Sequence, residues 1–308
     1  MLMLFIVFPE LQNGMLMKNR INNIVDNAVE AGEVDLFRAM QRILSENGHR
    51  CVYCEVVHQR YVSFIWKRTI KRRREIADLL LVTLNRTSKK VRVSFLQAKR
   101  YRRKVLSAPI YHFTGDFGQF YLLSQRPTLL SGLPPCTLTF SPAESLTTYG
   151  VFYNDKNGRV DLFYVAADRL TTNSHSQRLV QLDFDTNKHG PLTVSHEYNY
   201  QGDSYSESVA IDGIDKFEHD LLAWKIGAVI PDCWTQTFLN RVFCILLNHE
   251  KKKKFPLEQK QNLFTLANDY GGWNHEVSID DTANDDHVSF SSIMVVECDS
   301  ECTAERRS

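Results

Sequence analysis

Apolar residues recur along this chain with two periods, and the change from one to the other marks the elements. Between residues 15 and 47 the spacing is helical: Leu36, Met40, Ile43 and Leu44 share a side, and Asn47-Gly48 supplies a stop. Residues 51–66 (CVYCEVVHQRYVSFIW) are rich in β-branched and aromatic types and predict extended chain. The following KRTIKRRR reads as a solvated basic link. IADLLLVTL (76–84) predicts a strong strand, NRTSKK (85–90) a polar turn, and residues 91–99 a second strand. Residues 104–124 predict a helix interrupted near Gly115 and Gly118.

Pro127, Pro134, Pro135 and Pro142 crowd one short span, which predicts a boundary there. The division expected is 1–130 and 131–308. Past the prolines, YGVFYNDKNGRVDLFYVAADRL predicts a β-hairpin turning at Asn157-Gly158. Further strands are expected over 178–200, and apolar-faced helices over 214–230 and 234–250. Lys251 to Lys254 then read as a solvated helix end, and SSIMVVEC as one strand-like piece in an acidic C-terminal stretch. The fold class expected is α/β (α+β), a mixed sheet flanked by helices, followed by a C-terminal β-plus-helix region for regulation or partner binding.

Composition changes this picture little. The 308 residues are 43% hydrophobic and 24% charged, as in ordinary globular domains. The net charge of +1 hides a strong asymmetry. Sixteen Lys or Arg and two acids, Glu75 and Asp78, lie between Arg60 and Lys104; nine acids and two Arg lie from Tyr270 onward. Such a cationic block repels itself unless an anion binds, which points to nucleic acid. The acidic end reads as disordered rather than as a mimic of that anion. Seven scattered cysteines fit reduced thiols, so a cytoplasmic protein is expected. The apolar start MLMLFIVF is too short for a membrane span and a poor signal peptide, and no membrane partner is expected. Cys51 and Cys54, with His58, would make only half a zinc site and read as small hydrophobes in a strand. Asp183 and Asp185, before His189, read as a strand running into a turn.

The hairpin at 76–99 carries the chemistry. With Thr87-Ser88 at its tip, Leu84 faces Val91 and Asp78 faces Gln97. Alternation puts Gln97 and Lys99 on one face and Ala98 on the other. A carboxylate, an amide oxygen and a backbone carbonyl are hard ligands, and Mg²⁺ needs few of them. Mg²⁺ (or Mn²⁺) on Asp78 and Gln97 would acidify a bound water, with Lys99 beside it to steady negative charge. The flanking cations Arg72, Arg73, Arg74, Arg100, Arg102, Arg103 and Lys104 would hold a phosphate backbone.

These residues resemble a known family. Asp, a gap of some fifteen to twenty residues, then Glu or Gln, any residue and Lys is the core motif of the PD-(D/E)xK nuclease superfamily. FLQAKRYRR looks especially like the Mrr-type restriction endonucleases, where Gln replaces Glu and Arg follows Lys. It is also similar to nuclease domains of bacterial anti-phage effectors. The resemblance covers roughly residues 30–125, and no Pro precedes Asp78. It implies a restriction-endonuclease-like sheet and a catalytic triad of Asp78, Gln97 and Lys99. It further implies a glutamate from an earlier helix, for which Glu30, Glu33 and Glu46 are candidates, Glu46 standing nearest the helix end. Glu75 is another contributor. The expected activity is metal-dependent endonucleolytic hydrolysis, on DNA in preference to RNA, in anti-phage defence or restriction. A partner defence protein or a second copy of the chain could supply the trigger. The alternative is a non-catalytic nucleic-acid-binding or scaffolding protein of the same fold, motivated by the uncharged Gln97.

Overall fold

The computed structural model describes residues 16–25, 30–56, 61–66, 70–101, 106–131, 138–174, 178–190, 192, 195–271 and 290–298. Two helices come first, α1 (Met17–Ile24) and α2 (Glu33–Glu46), then strands β1 (Cys51–Glu55), β2 (Val62–Trp66) and β3 (Ile70–Arg74). The hairpin is β4 (Ala77–Asn85) and β5 (Val91–Tyr101); β6 (Ile110–Asp116) runs directly into α3 (Phe117–Gln125), and β7 (Leu129–Ser131) follows. Next are β8 (Thr147–Asn154), β9 (Val160–Ala166), β10 (Leu179–Asp185), the single turn α4 (Thr186–His189), β11 (Ser195–Tyr200), β12 (Asp203–Ser208) and β13 (Ala210–Asp212). The remainder is α5 (Ile214–Leu222), β14 (Ala228–Val229), α6 (Asp232–Lys253), α7 (Leu257–Tyr270) and β15 (Phe290–Cys298).

Eight of these strands form one mixed sheet in the order β1-β15-β4-β5-β8-β9-β13, with β14 added to β5. β4 and β5 lie at its centre, and helices cover both faces. Leu80, Val82, Val93, Phe95 and Val151 pack with α3, α6 and α7 on one side. Leu79, Leu81, Leu96 and Ala98 pack with α1, α2 and α5 on the other. Because both faces are buried, these strands read as continuous apolar runs.

Four sequence expectations change. The boundary at residue 130 falls inside a shared sheet: β8 lies parallel beside β5, and β15 is inserted between β1 and β4. Without strands from later in the chain, β4 and β5 would be left with open edges. The basic segment Lys71–Arg74 is not a link but edge strand β3, paired antiparallel with β2. Its exposed charges suit an edge, where cations discourage pairing with other chains. Residues 110–116 form a strand rather than helix, because Tyr111 and Phe113 alternate into the core and the segment pairs with β10. The stretch expected to be helical over 15–47 is two helices, and α7 was not expected at all, although Leu263, Leu266, Ala267 and Tyr270 bury one helical stripe. The acidic stretch 272–289 and residues 299–308 lie outside the described residues, as do Pro134 and Pro135.

Candidate functional site

The register of the central hairpin puts the site together. Leu84 pairs with Val91 and Leu79 with Leu96, so Asp78 and Gln97 come next in line, as the sequence spacing predicts. The tip is fixed by Asn85, whose side-chain oxygen accepts from the backbone N–H groups of Thr87 (3.0 Å) and Ser88 (2.8 Å). At the open end the Gln97 amide donates to Asp78 Oδ2, and the Ala98 N–H donates to the same oxygen at 2.8 Å. Among the described residues both hydrogen bonds given to the Asp78 carboxylate fall on Oδ2. β15 holds the site from its other side: Ser292 Oγ donates to the Asp78 carbonyl at 2.7 Å, and Ser291 Oγ to Glu75 Oε1 at 2.5 Å.

One residue absent from the sequence reading completes the arrangement. Gln119, in the first turn of α3, donates from Nε2 to Gln97 Oε1, and the same nitrogen lies 3.4 Å from the Glu75 carbonyl. A chain of amides thus runs from Gln119 through Gln97 to Asp78. Its direction is set by α3, whose N-cap Asp116 accepts the Gln119 N–H at 3.0 Å and is gripped by Arg74 Nε at 3.0 Å. An Asp before an apolar helix start was the only signal for this, and it identifies a cap rather than a neighbour of Gln97.

The electrostatics follow from burial. Removal from water pushes the Asp78 carboxyl up to about 7, the nearby Lys99 ammonium pulls it down, and the charges of Glu75 and Glu33 push it up again. Glu75 is raised for the same first reason, and Ser291 and Lys99 oppose the rise. Three sequence-predicted residues, Asp78, Glu75 and Lys99, therefore act on one another, and Gln97 touches Asp78 directly. Lys99 is half-exposed on the Gln97 side of β5.

Glu46 does not belong to this group. It stands at the last turn of α2, paired with Arg20 (2.5 Å) and Arg42 (2.7 Å), just before β1 begins. Cys51 of β1 is aligned through Val296 with Thr83, the far half of β4 from Asp78. The helix glutamate whose charge reaches Asp78 is Glu33, in the first turn of α2.

The cationic block is also divided. Arg100 is folded inward, donating to the carbonyls of Ala31 (3.2 Å) and Phe152 (3.2 Å) and to Asn154 Oδ1 (2.7 Å). Arg92 is buried over Trp224 and donates to the carbonyls of Ser206 and Gly227. Arg86 pairs with Glu297, Lys90 with Asp203, and Arg74 with Asp116. Exposed cations remain at Lys71, Arg72 and Arg73 on β3, with Arg72 lying 4.7 Å over the Trp66 ring. Their strand leads straight into Glu75. Arg102, Arg103 and Lys104 lie outside the described residues.

Among the described residues no group of three or more His, Cys, Asp or Glu is placed to hold a metal. Cys51 and Cys54 point into opposite cores. Asp185 caps α4 by accepting from Asn187 N at 2.9 Å, and His189 stacks on Phe184. No described helix is long and apolar enough to cross a membrane. Comparison with protein-family models, with curated proteins and with solved structures finds no match.

Proposed function

We propose that this chain is a divalent-cation-dependent nuclease that hydrolyses nucleic-acid phosphodiesters, on DNA in preference to RNA, in bacterial anti-phage defence or restriction. The observation that carries the reading is the meeting of Asp78, Glu75 and Lys99 at the open end of one hairpin, next to an exposed cationic strand. The order α2, β4, β5, α3, β8, with β8 parallel to β5, supports reading the sheet as restriction-endonuclease-like.

The donor set fits a hard cation in part. Two carboxylates, Asp78 and Glu75, supply oxygen ligands, and Mg²⁺ or Mn²⁺ tolerates so few because water fills the rest. A buried carboxyl lifted by a like-charged neighbour is also a group that gains from a cation. Gln97 does not fit as a ligand: its NH₂ faces Asp78 and its oxygen is taken by Gln119. Its role in this reading is to orient Asp78. A bound cation would supply Lewis acidity and a more acidic water. Lys99 would stabilise the charge growing on the phosphate, and Arg72 and Arg73 would hold the backbone alongside. A cytoplasmic location and activation by a partner protein or a second copy are parts of the same proposal.

The orientation of Gln97 favours a second reading, a nucleic-acid-binding protein of this fold without catalysis, because the amide already satisfies Asp78 where a cation would. Cleavage of supercoiled plasmid, duplex, single-stranded DNA and RNA with and without Mg²⁺ separates the two. The nuclease reading expects Mg²⁺-dependent cutting that Lys99→Ala reduces by roughly 10²–10⁴-fold. Salt-dependent binding without cutting, equal for wild type and Asp78→Ala, would leave binding alone.

A further inference from the structure

A line of guanidinium groups crosses the start of α3, and one of them comes from the second half of the chain. Strand alternation puts Arg72 and Arg74 of β3 on the same face as Phe64 and Trp66 of β2, and that face lies against Phe117 and Tyr121 of α3. Arg72 stacks 4.7 Å over Trp66, whose ring meets Phe117 edge-on with centroids 5.9 Å apart. Arg74 lies across the first turn of the helix: a Cβ on Gly118 would stand 3.0 Å from its Nε, and that nitrogen donates to Asp116 Oδ1 at 3.0 Å. Arg178, just before β10, approaches the same carboxylate. Its backbone is fixed there, since its carbonyl accepts from the Phe117 N–H at 2.8 Å and the next residue, Leu179, pairs with Asp116. Its side chain is 86% exposed, and its Nε stands 3.7 Å from Asp116 Oδ2, beyond hydrogen-bond reach. An exposed ion pair of that length contributes little to stability, so the fold alone does not account for this arginine.

We propose that Arg178 binds a phosphate of the nucleic-acid substrate, whose backbone runs from Arg72 on β3 over the start of α3 to β10. The proposal rests on the reading of nucleic acid as the substrate. Arg74 and Arg178 converge on one negative charge, so the group carries an excess of positive charge that a polyanion would neutralise. A guanidinium with a fixed root and an exposed head suits this role, because its planar fork offers a phosphate two parallel N–H donors. The link to the candidate site is the helix turn itself: Gln119, three residues after Asp116, bonds Gln97 beside Asp78. The part of the chain expected to serve regulation then contributes to the substrate surface.

Binding of a fluorescein-labelled DNA duplex to the full chain, in EDTA and over a series of salt concentrations, tests this independently of cleavage. Arg178→Ala is expected to weaken binding about eightfold at about 0.1 M salt and to make the slope of log affinity against log salt shallower by about 0.9, the share of one phosphate contact. Arg178→Lys keeps the charge and is expected to keep the slope. Lys188→Ala is the control: it removes one exposed cation past the other end of β10 and is expected to leave affinity and slope unchanged. An Arg178→Ala protein that binds as Lys188→Ala does, or a slope lost in Arg178→Lys as well, overturns the proposal while the nucleic-acid reading stands. Wild-type protein that shows no salt-dependent binding of the duplex overturns both.

Discussion

Asp78 is the side chain on which the most forces converge: two donors to one oxygen, a lysine, two further acids and burial. Its carboxyl ordinarily titrates near ~4 and here near 7, so the folded protein holds this proton more tightly than the unfolded chain. The sign follows: stability from this group is complete below about pH 4 and is lost as pH rises toward 7. Asp78→Asn should therefore lose less stability than wild type between those values, and be more stable at pH 8 without divalent cations by about 1 kcal/mol. Thermal melts across the range check this; parallel curves for the two proteins would contradict it. Gln97→Glu reverses the logic. It replaces a donor to Asp78 with a second carboxylate, and should destabilise the metal-free protein at pH 8 by roughly 1–3 kcal/mol, with recovery on adding Mg²⁺. The Asp78–Gln97 contact was legible in the sequence because antiparallel register is fixed by a short turn and by two buried faces. Gln119 was not, because its approach to Gln97 depends on where α3 sits, and nothing local to FGQFYLLSQ specifies that.

Helix α3 brings Gln119 to the hairpin, and its start is the element-level control of the site. Asp116 caps it and simultaneously receives Arg74 from β3. Asp116→Ala should cost about 1–2 kcal/mol in denaturant unfolding. Because it also releases the first turn that holds Gln119, it should shift the Asp78 titration, whereas a loss of stability with that titration unmoved would mean the amide chain does not depend on the cap. The existence of most elements was readable from apolar period, but two types were misassigned for physical reasons. IKRRR (70–74) carries no apolar alternation, yet pairs as an edge strand, with Arg74 opposite Val62 and Arg72 opposite Phe64 of β2. Residues 110–116 carry a clear period of two, masked by the glycine at 115 and the helical run that follows without a break. The density of cations near 60–104 was equally plain, but not that Arg92 and Arg100 are folded into the interior.

Strand β15 governs the molecule as a whole. It lies between β1 and β4, parallel to β4 from Phe290 opposite Ala77 to Cys298 opposite Asn85, and it also braces Asp78 and Glu75 through Ser292 and Ser291. Pairing between segments some two hundred residues apart leaves no local trace, which is why SSIMVVEC read as an isolated strand and the chain as two regions. A 1–130 fragment should accordingly show no cooperative thermal transition, since it lacks both β15 and β8; a sharp melt would contradict the shared sheet. Whether the assembled sheet forms a cation site is best decided by titrating Mg²⁺ and Mn²⁺ into the full chain by calorimetry, alongside Asp78→Asn. One divalent-cation site at pH 8 that disappears in Asp78→Asn is the predicted result. An absence of binding, or binding unchanged by that substitution, would contradict it.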